Sequence, residues 1–321
     1  MSARVRGLRA RHTWAAPSTP AHPGFEEHEQ LEICQVTAVN PIAARIRPQP
    51  LFTFFGLAYG LSWWGWVAGS IAPASIPFVP YPFVPVGPLL AALAVTAVSR
   101  GRPGLRALGR QLVRWRVGWR WYVVALGLPL TVFLVAVALT VVLGAPAPSL
   151  GQVNPWYMPL LVFAVRLINP LDGPMGEELG WRGYALPRLQ TGRSPVVASL
   201  VLGVLVAGWH LPLVLAGQAN SFDLVGTVGV TIVYTWIYNR TRGSVLMTLL
   251  AHAAEGIFQY ESLGFAGGDA SRVAFLYSVV WCVAALGVVV FDRAAWRTQG
   301  VSSAGRVPWR GALPPLADGT A

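Results

Sequence analysis

The sequence predicts an all-α, polytopic integral membrane bundle of about eight transmembrane helices, and three observations predict it. Of 321 residues, 54% are apolar and only 12% charged, whereas about a quarter of a soluble domain is charged. Eight stretches reach or approach the roughly 20 mostly apolar residues of a spanning helix. The 24 basic residues, all arginine, gather in the N-terminal tail and in short gaps between those stretches, as the positive-inside rule distributes charge. The net charge of +11 therefore points to a lipid bilayer; with no basic stripe interleaved with aromatics, no nucleic-acid partner is expected. Two cysteines, Cys34 and Cys282, are too few for a disulfide framework.

Residues 1–50 mix arginines, prolines and the acidic cluster Glu26, Glu27, Glu29 and Glu32. They read as a disordered basic cytoplasmic tail. The transmembrane domain follows over 51–291. Its first span, 51–72, is rich in aromatics such as Trp63 and Trp64, suiting an interfacial belt, and ends in a Pro-rich connection over 73–85. The second span covers 84–99. Arg100, Arg102, Arg106, Arg110, Arg114, Arg116 and Arg120 follow with no acidic residue among them, which fixes this gap as cytoplasmic. Leu105, Leu108, Leu112 and Trp115 recur there at helical spacing, predicting an amphipathic helix on anionic lipid.

The third span covers 121–143. The fourth runs from Trp156 to Leu189, 34 residues or about 51 Å of helix, too long for one straight crossing. Asn169-Pro170 and Gly173-Pro174 predict a break within it, and broken helices at membrane depth line cavities. The fifth span, 196–215, carries His210. The sixth, 224–238, turns through Asn239-Arg240-Thr241-Arg242-Gly243 into the seventh, 244–260, which carries His252. The eighth span covers 273–291, and a cytoplasmic C-terminal tail, 292–321, closes the chain. Alternation places both termini and every Arg-rich gap on one side of a multi-pass protein of the cell membrane.

Against this background Gly176-Glu177-Glu178-Leu179-Gly180-Trp181-Arg182-Gly183-Tyr184 stands out, because intramembrane ionisable groups are costly and mark function by default. Glu178 and Arg182 are four apart in the favourable acid-first order for a helical ion pair, which leaves Glu177 without that partner. Measured from the cytoplasmic turns, Glu177, His210 and His252 lie at heights of roughly 22, 27 and 16 Å, about two helical turns of spread. Carboxylate, imidazole and imidazole around one water suit amide hydrolysis, with or without a divalent ion. The same residues also suit a structural ion-pair network and two packing histidines, so spacing alone leaves the function open.

Glu177-Glu178-Leu179-Gly180-Trp181-Arg182-Gly183-Tyr184 resembles the E-E-x-x-x-R motif, continued as Gly-Tyr, of the CPBP intramembrane proteases. That family includes the type II CAAX prenyl endopeptidases and bacteriocin-processing and self-immunity proteins. Its second motif, an aromatic ahead of a histidine, is similar to Val206-Ala207-Gly208-Trp209-His210. The third, a histidine with Asn or Asp four residues on, is similar to His252 through Gly256. The resemblance covers about 155–260, taken as the catalytic core. It implies that Glu177 activates water with help from His210, that Glu178 and Arg182 support the site, and that His252 helps hold the water, a metal or the oxyanion. The family is commonly classed with metalloproteases, so a divalent ion such as Zn on Glu177, His210 and His252 is one implied arrangement; glutamate-activated water without a tightly held ion is the other. The implied partner is a membrane-associated or lipidated peptide or protein substrate. Two positions depart from the pattern: Val206 replaces the usual Phe, and Gly256 replaces the Asn or Asp whose side chain could stabilise a tetrahedral intermediate. Glu255 is adjacent but about 100° round the helix from position 256.

The sequence is thus read as an intramembrane endopeptidase hydrolysing a peptide bond through water activated by Glu177 with His210 and His252. Its main rival is a non-catalytic membrane immunity or scaffold protein that keeps the fold, motivated by Gly256. A transporter suits the broken helix and the buried charges, but no internal repeat relates the two halves.

Overall fold

A computed structural model describes residues 50–71 and 83–297. The expected tails, apart from Pro50 and 292–297, and most of the Pro-rich connection lie outside the described residues. Within them the chain is helical throughout, without a strand. The helices are α1 (Pro50–Ile71), α2 (Gly87–Leu112), α3 (Trp119–Val142), α4 (Met158–Ile168), α5 (the consecutive pieces Pro174–Glu178, Leu179–Ala185 and Leu186–Leu189), α6 (Pro195–Trp209), α7 (Leu211–Leu215), α8 (Phe222–Arg240), α9 (Val245–Glu255) and α10 (Gly268–Phe291).

Each apolar stretch becomes a helix, and the punctuation lies where the sequence places it. The long fourth stretch breaks between α4 and α5 at Asn169-Pro170 and Gly173-Pro174. Three differences have local causes. The predicted amphipathic helix is the second half of α2, set off by non-helical Gly101, with Leu108 buried and Arg102, Arg106 and Arg110 exposed. The fifth stretch is interrupted at His210, where Pro212 cannot donate to an uninterrupted ladder. The seventh helix stops at Glu255, with Gly256 at its C-cap, well short of residue 260.

Trp119–Val142, Pro195–Leu215 and Gly268–Phe291 are long and apolar enough to cross a membrane, and Met158–Ile168 and Val245–Glu255 are shorter apolar helices. In the three long ones only 39%, 44% and 28% of the apolar window is buried. Leu134, Val204, Val283 and Leu286 are outward and exposed. So much outward apolar surface is untenable in water and natural in lipid; this is a multi-pass membrane protein.

Of the three apolar clusters among the described residues, two flank the centre of the bundle. One joins α1, α2, α5 and α6 around Phe54, Trp181, Tyr184 and Trp209. The other joins α3, α8, α9 and α10 around Tyr234, Met247 and Trp281. Glycine sets the approach of α5 to the start of α2: a Cβ on Gly176 would stand 2.5 Å from Pro170 O and 2.8 Å from Pro85 O, and one on Gly180 2.5 Å from Pro88 Cβ. Beyond the helices' ends, the Asp292 carboxyl is held below the usual carboxylate range by the Arg240 guanidinium and the Trp236 indole.

Gly180→Ala forces a methyl into the Pro88 backbone, an overpacking expected to cost about 1–3 kcal/mol. Thermal unfolding in detergent, followed by circular dichroism, should show a lower midpoint; an unchanged midpoint would mean that α2 yields without cost.

Candidate active site

α5 begins with two devices. Gly173 precedes it at φ +78°, a backbone conformation that glycine adopts freely, and Pro174 occupies its first position. After Glu178 the helix widens into a π-helix over Leu179–Ala185, where the Leu186 N–H reaches Trp181 O five residues back. Such widenings recur at functional sites because they re-aim side chains. Here every residue from Gly176 to Leu186 is buried.

The two adjacent carboxylates have different surroundings. Glu178, fully buried, accepts from Arg182 Nη1 at 2.8 Å and from His252 Nδ1 at 2.9 Å through one oxygen, Oε1. Arg182, 2% exposed, reaches Thr231 Oγ1 at 3.4 Å and lies over the Tyr234 ring at 5.0 Å. Glu177 makes no ion pair among the described residues; its Oε2 accepts from Trp181 Nε1 at 3.3 Å. Trp181 is itself held edge-on between Phe54 and Trp209. The acid-first pairing of Glu178 with Arg182 is therefore present, and Glu177 is left out of it.

The histidines are oriented by their Nδ1 atoms. His210 Nδ1 lies 2.9 Å from Val206 O; a carbonyl only accepts, so Nδ1 carries the proton and Nε2 keeps its lone pair in the neutral ring. His252 Nδ1 faces the Glu178 carboxylate in the same way. A Cβ on Gly173 would sit 3.0 Å from Glu177 Oε1 and 4.0 Å from His252 Nε2, so both atoms border the same space and glycine keeps it open.

Glu177, His210 and His252 line one cavity of about 430 Å³. The spread of heights between them is thus absorbed across one shared volume. Among the described residues no three His, Cys, Asp or Glu side chains are grouped as a ready-made metal site.

Two other charged residues of this cavity, Asp223 and Arg166, were not among the residues singled out from the sequence. Asp223, in the first turn of α8, accepts from Tyr260 Oη at 2.7 Å and from the Asn220 N–H at 2.8 Å. Arg166 on α4 pairs with Asp172 at 3.0 Å. Its signal was available, since it is the one charged residue in an apolar run. Glu255 turns aside and accepts from the Tyr234 and Tyr277 hydroxyls.

Residues 152–258 match the family model described as type II CAAX prenyl endopeptidase Rce1-like. A protein of Methanococcus maripaludis named CAAX prenyl protease 2 is 28% identical over 88 residues, covering 24% of this chain and 32% of that protein. Over this segment the chain is similar to the CAAX prenyl proteases. The chain spans about a third of the length of that curated relative. The matched segment contains α4 through α9, and so it holds every residue of the Glu178 network.

Removing one partner of that network should be costly, because the other charge remains buried. Arg182→Met is expected to lose about 3–5 kcal/mol, read as loss of monodisperse protein in detergent. Glu178→Gln together with Arg182→Met should recover much of it; undiminished yield from Arg182→Met alone would show that the pair does not hold the fold.

Proposed function

We propose that this protein is an intramembrane endopeptidase of the CAAX-protease type, cleaving a prenylated, membrane-associated peptide or protein by glutamate-activated water. The observation that carries the reading is the asymmetry of the paired carboxylates. Glu178 is paired with Arg182 and hydrogen-bonded by His252, whereas Glu177 makes no ion pair among the described residues and borders the cavity beside Nε2 of His252.

In this reading a water over Gly173 gives a proton to Glu177 as its oxygen attacks the scissile carbonyl carbon. The carbonyl π pair moves onto oxygen, forming the tetrahedral intermediate. Collapse reforms the carbonyl and breaks the C–N bond, and the Glu177 proton passes to the leaving amine. His252, oriented by Glu178, and His210, oriented by Val206 O, offer Nε2 lone pairs that position the water. Glu178 and Arg182 hold His252 and the α5 turn and do not touch the reacting atoms.

Glu177→Gln keeps the size and hydrogen-bonding reach of the side chain and removes the base. It is expected to lower cleavage of a peptide ending in a farnesylated Cys-aliphatic-aliphatic-X sequence by at least about 10²- to 10⁴-fold. Profiling of new peptide termini in membranes carrying either form checks the same point in cells. Identical profiles for the two proteins would favour the rival scaffold or immunity role. Metal analysis of the purified protein beside His210→Ala tests whether an ion joins these residues: an ion lost in the variant places His210 among its ligands, and equal content in both leaves the water-only arrangement.

A further inference from the structure

Position 256 departs from the family pattern by lacking a side chain, and the structure has filled the place. His252 and Gly256 are four residues apart at the end of α9, on one face of that helix. A Cβ built on Gly256 would fall upon the Cζ, Nη2 and Nε atoms of Arg166. The guanidinium therefore lies where a side chain at 256 would begin, and the two residues exclude one another sterically.

Arg166 is well placed for chemistry. It lines the same cavity as Glu177, His210 and His252, and among the described residues it is the one Lys or Arg that does so. Its side chain is 14% exposed, and one nitrogen, Nη1, is committed to Asp172. Its Nε is buried without a hydrogen-bond partner. The guanidinium keeps its positive charge and further N–H donors at the cavity wall, and the tetrahedral intermediate described above creates an anionic oxygen that would match them. Donors aimed at charge that develops only in the transition state are typically the largest electrostatic contribution to acyl transfer.

We infer that Arg166 is the oxyanion-stabilising residue of this enzyme, supplying from α4 the donor that Gly256 cannot supply from α9. Asp172 orients the guanidinium, and Gly256 is the space it needs. The inference rests on the endopeptidase reading above.

The test is steady-state cleavage of an internally quenched peptide ending in a farnesylated Cys-aliphatic-aliphatic-X sequence, by the full chain in lipid nanodiscs. Arg166→Ala is expected to lower kcat by about 10²- to 10³-fold with KM changed by less than about threefold. Gly256→Asn alone should also lower kcat, because amide and guanidinium compete for one space and neither is seated. Arg166→Ala combined with Gly256→Asn should regain at least about tenfold over Arg166→Ala, since the cavity then admits the amide. A merely structural arginine would give no such rescue. Should Arg166→Ala fail to fold, Arg166→Gln carries the same comparison.

If wild type cleaves, Glu177→Gln does not, and Arg166→Ala keeps wild-type kcat, the oxyanion role fails while the endopeptidase reading stands. A rise in KM confined to peptides with a free C-terminal carboxylate, and absent for their C-terminal amides, would make Arg166 a substrate anchor and overturn the proposal. If wild type leaves the peptide intact, both readings fall together.

Discussion

One carboxylate oxygen, Glu178 Oε1, takes hydrogen bonds from both Arg182 and His252, and the centre of the structure depends on it. A charge without exposed surface is tolerable only when it is paired and hydrogen-bonded. That requirement fixes the approach of α5 to α9, the ring orientation of His252, and through Thr231 the position of α8. The network also joins two of the apolar clusters. Trp181 and Tyr184 of α5 pack in one, and Met247 and Ala251 of α9 in the other.

The neighbouring carboxylate is free because the first one is satisfied. Two residues adjacent on a helix point about 100° apart, so Glu178 can face the network while Glu177 faces the cavity. Trp181 bridges the two jobs: its indole N–H steadies Glu177, and its ring is part of the aromatic packing against α1 and α6. Small residues make the arrangement possible. Gly173 keeps the space between Glu177 and His252, Gly180 lets α5 rest on Pro88, and Gly256 leaves room for Arg166. In each case the absent side chain is what allows a functional group or backbone to come close.

The helices were legible because each crossing needs a long apolar run and each break is marked by proline, glycine or arginine. The α4–α5 break follows from Pro170 and Pro174 alone. The ends were less legible: α9 stops at Glu255 although the apolar pattern continues, since a helix end is decided by local backbone geometry and hydropathy does not register it. For the site, Glu177, Glu178, Arg182, His210 and His252 were all readable as ionisable groups at bundle depth, and the Glu178–Arg182 pair follows from its spacing.

Chemistry in lipid makes residue type conspicuous, which is why the sequence by itself determined the membrane setting, the order of the helices, the family pattern and the list of candidate polar groups. Only the tertiary structure decided how those groups divide. It gave His252 to Glu178, left Glu177 beside the cavity, and carried Arg166 from a distant helix into the space over Gly256. Such pairings join residues 74 and 90 positions apart, and hydropathy and local spacing carry no information about which helix faces which.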